Sequence, residues 1–387
     1  MKKVTVLGAG LIGKAIAIDL SSGYRVTAVD INEGSLVDLR NRCPEVSAVR
    51  ADISDGKTLN LIAGSTDLVI LALPSVMGSV ILAALINSGI DVVDISFSNS
   101  DPFELDELAK EKGCTVVVDC GVAPGLSNML LGQAVSSSEV ESFKCFVGGL
   151  PVVRKWPWEY RAPFAPSDVI EEYTRPVKRV RGGEVDIIPA LSEPELIHFD
   201  QVGTLEAFNT DGLRTLIRTT KVPNMTEKTL RYPGHREYIR VLQESGFFDH
   251  QPLDVHGVQV RPDQFTSRVL FANWRLQEDE EEMTLMRIEI IAHGKDSANQ
   301  RRSKLEYGLL DRYDRKTRIS SMARTTGYTA TGVAKMILSG KFSKKGICPP
   351  EYIGSDSECF DFLMKHLLDH GIKISCKFTH LDQKTQG

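Results

Sequence analysis

The run Val4-Thr5-Val6-Leu7-Gly8-Ala9-Gly10-Leu11-Ile12-Gly13, with Asp30 at the end of a second apolar run, constrains this chain more than any other feature. Val4 to Leu7 has the character of a short buried parallel strand. Gly8 lets the chain turn sharply out of it. Gly10 lacks a side chain, so the backbone can approach a pyrophosphate, and Gly13 lets the next helix press against the strand. That helix, opened by Leu11 and Ile12, carries Ile12, Ala15, Ile16 and Leu20 on one face and aims its N-terminal amides at an anion. Asp30 follows the strand from Arg25 to Val29, where a carboxylate can accept hydrogen bonds from ribose hydroxyls. A 2′-phosphate would face that carboxylate, and Ile31 and Asn32 follow in place of an arginine. The expected cofactor is therefore NAD rather than NADP.

The alternation of strand and helix continues. Asp67 to Leu73 reads as a strand, with Leu73, Pro74 and Ser75 in the loop at its C-terminal end. Val76 to Ser88 reads as a helix and Ile90 to Ile95 as a strand. Pro102 to Lys112 starts acidic and ends basic, as a helix macrodipole favours. Thr115 to Val118 is a further β-branched strand. The expectation is an α/β chain with a doubly wound parallel sheet of the Rossmann type over residues 1–122. Leu73-Pro74-Ser75, Ser96 and Asp119-Cys120, at strand ends, should surround the nicotinamide.

At 387 residues the chain has room for two domains. A net charge of −5 with both signs interspersed gives no reason to expect nucleic acid or an anionic membrane as partner. No apolar run reaches membrane length, and the N-terminus opens as a strand. Seven cysteines without a CxxC pair suggest neither a zinc knuckle nor a disulfide framework. The expectation is a cytoplasmic, reduced protein that uses no metal. His366 and His370 stand at i,i+4 on a predicted helix, a spacing that can bind metal, but no neighbouring carboxylate or thiol is visible in the sequence.

After Asp119 the rhythm changes. Leu126 to Ala134 reads as a helix and Val140 to Gly148 as a strand. Trp156 to Pro166, rich in proline and aromatics, reads as a fixed loop. Glu184 to Ile188, Leu196 to Phe199, Leu205 to Phe208 and Met283 to Ala292 read as strands of a mixed sheet, and Arg236 to Ser245 as a helix. Glu278 to Glu282 reads as a solvated acidic turn. These features predict a second mixed α/β domain over 123–325 for substrate binding and dimerisation. A helix near 326–340 should return to the first domain, ahead of a C-terminal segment over 341–387.

Five segments carry a resemblance: Gly8 to Gly13, Asp119-Cys120-Gly121-Val122-Ala123-Pro124-Gly125-Leu126, Val147 to Pro151, Thr229-Leu230-Arg231-Tyr232-Pro233-Gly234-His235, and Gly327-Tyr328-Thr329-Ala330. Together they resemble the saccharopine dehydrogenase family over residues 1 to about 375. Ile170-Glu171-Glu172-Tyr173-Thr174-Arg175-Pro176 and Leu205 to Leu216 look most like its lysine 6-dehydrogenase branch. That branch usually shows Ala where this chain has Cys120. The tail after Ser375 carries no signal. The resemblance implies a homodimeric NAD-dependent enzyme that oxidatively deaminates the ε-amine of L-lysine, with cyclisation of the product to a piperideine carboxylate. The alternatives are a saccharopine reductase, for which Arg154, Lys155 and Arg161 would supply extra cations, and a non-catalytic NAD-binding regulator.

Hydride loss from an amine carbon needs a neutral amine, and the iminium formed is stabilised by a carboxylate. Two fixed points on the amino acid then set the reacting carbon over the nicotinamide. For the substrate carboxylate the candidates are Arg214 and Arg231, either of which could instead be structural. For an ammonium or iminium they are Asp211, which could be a helix cap, and Glu171, which could be a solvated helix face. His235 is the candidate acid/base group or a loop residue, and Tyr232 a substrate donor or an interface aromatic. Asp119, at a strand end, is the third catalytic candidate. Cys120 reads as packing. Trp158 and Tyr160 could line the substrate mouth, and Trp156 reads as a packed loop residue.

Overall fold

The computed structural model describes residues 1–98, 100–164, 166–277, 280–295 and 301–381. In chain order it contains β1 (Lys3–Leu7), α1 (Leu11–Ser21), β2 (Arg25–Asp30), α2 (Glu33–Arg42), β3 (Ser47–Arg50), α3 (Gly56–Ala63), β4 (Leu68–Leu71), α4 (Ser75–Asn87), β5 (Asp91–Asp94), α5 (Asp106–Glu111), β6 (Thr115–Val117) and α6 (Leu126–Ser137). There follow β7 (Ser138–Pro151), α7 (Pro166–Thr174), β8 (Val177–Arg181), β9 (Glu184–Ile188), β10 (Glu195–Phe199), β11 (Gly203–Asn209), α8 (Leu216–Thr219), β12 (Met225–Arg231), α9 (His235–Glu244), β13 (Leu253–Val255), β14 (Val258–Val260) and α10 (Pro262–Trp274). The chain closes with β15 (Glu282–Gly294), β16 (Arg302–Arg312), α11 (Ser321–Leu338), β17 (Gly346–Cys348), α12 (Pro350–Gly354), α13 (Ser357–Asp369) and β18 (Ile374–His380).

Two compact units result. The first comprises Met1–Ser137 and Met322–Lys373. Its sheet has the order β17-β6-β5-β4-β1-β2-β3 with every pairing parallel. This is the doubly wound order, whose strand C-terminal ends form the ligand crevice. β4 is buried along its whole length, which explains its unbroken apolar sequence. Leu7, Leu71, Leu85 and Val116 meet in the core beneath it. α2 and α3 begin at Asn32 and Asp55, whose side chains accept from first-turn amides.

The first unit runs to Ser137, where α6 and α12 touch backbone to backbone. A Cβ at Gly132 would lie 2.3 Å from the Glu351 carbonyl oxygen, and one at Gly354 would lie 2.0 Å from that of Met129. α11 approaches α1 in the same unit, where a Cβ at Gly327 would stand 3.3 Å from Ile16 Cγ1.

The second unit comprises Ser138–Ser321 and the segment from Ile374 onward. Its mixed sheet has the order β10-β11-β12-β7-β15-β16-β18, with β8 joining β12 to β9. β7 and β15 pair along nearly their full lengths, from Pro151 opposite Glu282 to Ser138 opposite Gly294. Tyr160, Tyr173, Phe208, Ile239, Leu270 and Trp274 form one core cluster. Phe146, Leu150, Leu205, Leu230 and Leu285 form another. The start of the tail after Ser375, silent in the sequence, belongs to β18, and residues 382–387 lie outside the described ones. This strand is an exposed edge strand held by backbone pairing to β16, so it needs no hydrophobic alternation. Among the described residues no helix is long and apolar enough to cross a membrane.

Candidate active site

In the first unit the glycine loop is set by close backbone contacts. Gly8 has φ +100°, and a Cβ there would lie 2.2 Å from the Ala72 carbonyl oxygen. A Cβ at Gly13 would lie 2.0 Å from the Gly8 carbonyl oxygen. Gly10, by contrast, has nothing among the described residues within 4 Å of its would-be Cβ. It is also the N-cap of α1 and supplies no side-chain cap, so the first-turn amides are left for an anion. Leu11 and Ile12 open that turn, with Leu11 exposed. Asp30 closes the loop, its Oδ2 accepting from Ala9 N at 2.6 Å and its Oδ1 from Asn32 N at 2.8 Å. An open glycine, an uncapped helix start and a carboxylate at the second strand end suit a nicotinamide dinucleotide.

The neighbouring strand ends complete the cradle. Leu73 and Pro74 lead from β4 into α4, and a Cβ at Gly78 on that helix would stand 2.3 Å from Ser96 Oγ. Ser96 donates from N (2.7 Å) and Oγ (2.6 Å) to Asp94 Oδ1. Asp119 is buried with φ 51°, a left-handed conformation at the end of the sheet where the chain turns toward Gly121. Cys120 is fully buried, and burial followed by the charges of Asp94 and Asp119 pushes its thiol far up. It is held as a packing residue, as its sequence context suggested.

The second unit holds a buried polar cluster. β12 ends at Arg231, and Tyr232-Pro233-Gly234 turns the chain into α9, which begins with His235. Gly234 makes that turn with φ 99°, which only glycine adopts without strain. α7 contributes Glu172 and Tyr173. Arg231 Nε donates to the Tyr173 hydroxyl at 2.7 Å, Nη1 to the Leu230 carbonyl at 2.9 Å and Nη2 to Glu172 Oε2 at 3.4 Å. The guanidinium lies 4.5 Å from the centroid of the Tyr160 ring and is almost fully buried. Glu172 also accepts from Thr229 Oγ1, which is 2.9 Å from Thr210 Oγ1.

The tautomer of His235 follows from its partners. Nδ1 stands 2.9 Å from the Trp158 carbonyl, which can only accept, so Nδ1 carries the proton. Nε2 therefore accepts from the Tyr173 hydroxyl at 3.0 Å. Burial, then the charge of Arg231, lowers His235 to about 3. A neutral imidazole with both nitrogens engaged positions Tyr173, and is not poised to exchange protons near neutral pH. Trp274 Nε1 lies in the same core without a hydrogen-bond partner among the described residues.

The other sequence candidates are dispersed. Tyr232 donates to the Pro151 carbonyl at 3.0 Å and carries Arg154 over its ring at 4.7 Å, so its hydroxyl is engaged within the fold. Asp211 does not cap α8; its Oδ1 accepts from Lys178 N at 3.2 Å. Arg214 has φ 50° and is half-buried. Glu171 pairs with Arg175 at 2.7 Å, one turn along α7. Glu172, and not the sequence candidate Glu171, enters the cluster. The signal was available: Val169 and Tyr173 mark the buried face of α7, and Glu172 lies three residues from Val169 on that side.

Arg154 pairs with Glu159, while Lys155 and Arg161 pair with Glu280 at 2.5 and 2.9 Å. The acidic run is thus an anchor for the aromatic loop rather than a solvated turn. Glu280 binds these cations, Glu281 binds Arg315, and Glu282 is buried; Glu278 and Asp279 lie outside the described residues. Trp158 and Tyr160 are carried inward by the loop, whereas Trp156 is 82 % exposed and is not packed as expected. His366 and His370, without a visible carboxylate in the sequence, meet Asp19.

Stability should fall in acid because of His235. An unfolded histidine titrates near 6.5, whereas folded His235 is protonated only near 3. Between those values the unfolded chain binds more protons, so this contribution is complete above about pH 6.5 and declines as pH drops toward 3. His366, lowered to about 4 by burial and by Lys335 and His370, acts in the same sense. His370, raised chiefly by its hydrogen bond to Asp19, acts in the opposite sense. The urea midpoint should decrease from about pH 7 to about pH 5, and less steeply in His235→Gln. Equal slopes would remove His235 from the balance.

Residues 4–117 match the saccharopine dehydrogenase NADP binding domain, and residues 121–372 match the saccharopine dehydrogenase C-terminal domain. The mitochondrial alpha-aminoadipic semialdehyde synthase of Rattus norvegicus is 25 % identical over 280 residues, which span 65 % of this chain and 29 % of that protein. The saccharopine dehydrogenase [NADP(+), L-glutamate-forming] of Pyricularia oryzae is 24 % identical over 268 residues, 65 % of this chain and 60 % of that one. The chain thus spans less than two thirds of these relatives. The apo L-Glu-forming saccharopine dehydrogenase of Saccharomyces cerevisiae superposes with a TM-score of 0.76 at 18 % identity, over 98 % of this chain and 100 % of that one, and so shares the fold. With both of its domains matched by the family's own, the chain belongs to the saccharopine dehydrogenase family.

Proposed function

We propose that this chain is a nicotinamide-dependent oxidoreductase that opens the carbon–nitrogen bond of saccharopine. The match of both family domains along one chain carries this reading. A bound nicotinamide would accept the hydride from the amine carbon. Water then completes the cleavage, releasing glutamate and aminoadipic semialdehyde, the compounds in the relatives' names. In this reading the α1 amides hold the pyrophosphate and Asp30 the ribose. Arg231, fixed by Tyr173 and Glu172, presents positive charge to a substrate carboxylate, and His235 keeps the Tyr173 hydroxyl in place. Asp119 and Asp211 remain candidates for the developing iminium, and Arg214 for a second carboxylate.

Lysine deamination, the first expectation from sequence, is the second reading, and one observation favours it. Arg154 pairs with Glu159, and Lys155 and Arg161 share Glu280, so these cations are engaged by carboxylates of the chain itself rather than set out as clamps for a tricarboxylate. The two reactions share the semialdehyde and differ in the amine released. Reduced nicotinamide forming with saccharopine, together with glutamate, supports the first reading. Formation with L-lysine and release of ammonia supports the second. Tight dinucleotide binding without turnover of either would favour the regulator.

For the cofactor we propose NAD, on the fixed carboxylate of Asp30. Arg50, in register with Asp30 on the adjacent strand, is the group that would favour a 2′-phosphate, as would the NADP in the names of the matched domain and relatives. Asp30→Ala should raise the KM for NAD roughly tenfold while lowering that for NADP. An unchanged NAD/NADP ratio would remove Asp30 from cofactor choice. A cytoplasmic location and a homodimer belong to the same reading, and light scattering tests the dimer.

A further inference from the structure

α13 carries His366 and, at its C-cap, His370, so the two imidazoles share a helix face with ring centroids 4.3 Å apart. Asp19, on the last two turns of α1, faces them with a side chain only 8 % exposed. Its Oδ1 lies 2.7 Å from His370 Nε2 and its Oδ2 lies 3.9 Å from His366 Nε2, and the three ligand atoms fall within 4.8 Å of one another. We propose that Asp19, His366 and His370 form a binding site for a divalent transition-metal ion of the zinc type, clasping α1 to α13.

The spacing suits such an ion. Bonds of 2.0–2.1 Å in a tetrahedral site place ligand atoms about 3.4 Å apart, and the two Asp19–His separations bracket that value. His370 is already oriented as metal-bound histidines are. Its Nδ1 donates to the His366 carbonyl at 2.7 Å, which turns Nε2 toward Asp19. Thr331 Oγ1 stands 3.0 Å from His366 Nε2, and its hydroxyl can turn away. Two imidazoles and one carboxylate select zinc or cobalt over magnesium or calcium, with the fourth position open to water.

Two positive charges now balance Asp19: the Lys335 ammonium, 3.0 Å from Oδ2, and the proton shared with His370. An entering ion replaces both. The lysine swings out on its flexible stem, and His370 gives up its proton to solvent. Asp19 lies eight residues beyond Leu11, about 12 Å along α1 from the dinucleotide end. Metal binding can therefore be read separately from cofactor binding.

The test uses the full chain, stripped with a chelator and titrated with cobalt(II), then zinc(II). The expected result is one saturable cobalt site with visible absorption, displaced by zinc, with release of about one proton. His366→Gln and His370→Gln should each weaken binding by at least about tenfold. Lys335→Gln keeps all three ligands in place and removes the ammonium that competes for Asp19, so it should tighten binding; this gain cannot come from misfolding. Absence of a cobalt band in the stripped protein would overturn the proposal. So would cobalt binding that survives both histidine changes, which would point elsewhere, for example to the exposed thiol of Cys376.

Discussion

Arg231→Met should lower stability by about 3–5 kcal/mol and abolish turnover. The guanidinium is almost fully buried and meets a hydroxyl, a carbonyl and a carboxylate at once. Methionine fills similar space but leaves the partly buried Glu172 without its cationic partner and Tyr173 without the donor that faces its oxygen. Removing one partner of such a set costs far more than the net worth of the pair, because the other charge stays buried. Tyr173→Phe should cost less, about 1–3 kcal/mol, since it removes two hydrogen bonds and leaves the ion pair. Denaturant unfolding and steady-state kinetics on both variants provide the check. A loss below about 1 kcal/mol for Arg231→Met would mean that the cluster does not hold this unit together.

Gly13→Ala and Gly10→Ala should separate folding from cofactor binding. At Gly13 even a methyl group would stand 2.0 Å from a backbone oxygen, which no side-chain movement relieves. The loop must shift, so stability should drop by about 3 kcal/mol or more and dinucleotide affinity should fall at least about a hundredfold. At Gly10 the same methyl meets nothing among the described residues within 4 Å, so the protein should melt unchanged. The methyl would instead occupy the approach of a pyrophosphate and weaken binding about tenfold or more. Dinucleotide titration by fluorescence, beside thermal melts, reads both quantities. Unchanged affinity in Gly10→Ala would place the pyrophosphate elsewhere.

The first unit was legible because its signals are local. Strand, glycine turn, helix and acid lie within thirty residues, and Gly8 and Gly13 each answer a contact made by a near neighbour or the adjacent strand. β1, β2, β4, β5 and β6 fell where their apolar runs stood. The short β3 is mostly exposed and gave no such run. In the second unit the segments that carried the family resemblance also hold Arg231, His235, Glu172 and Tyr173. Their roles could not be ranked, because a charged residue in a loop-to-helix segment reads the same whether its side chain turns inward or outward. Glu171 and Glu172 differ by one helical step, about 100° of rotation.

What the sequence determined by itself was the fold class, the dinucleotide cradle and the family, since these rest on backbone conformation and short-range periodicity. Tertiary structure alone decided which polar groups meet. It locked His235 between Trp158 and Tyr173, paired Arg154 with Glu159 and both Lys155 and Arg161 with Glu280, and carried Asp19 to histidines 347 and 351 positions further along. Charge and proton placement depend on distances across the fold, where burial strips away water and a few ångströms decide whether a group is paired, and no local pattern encodes those distances.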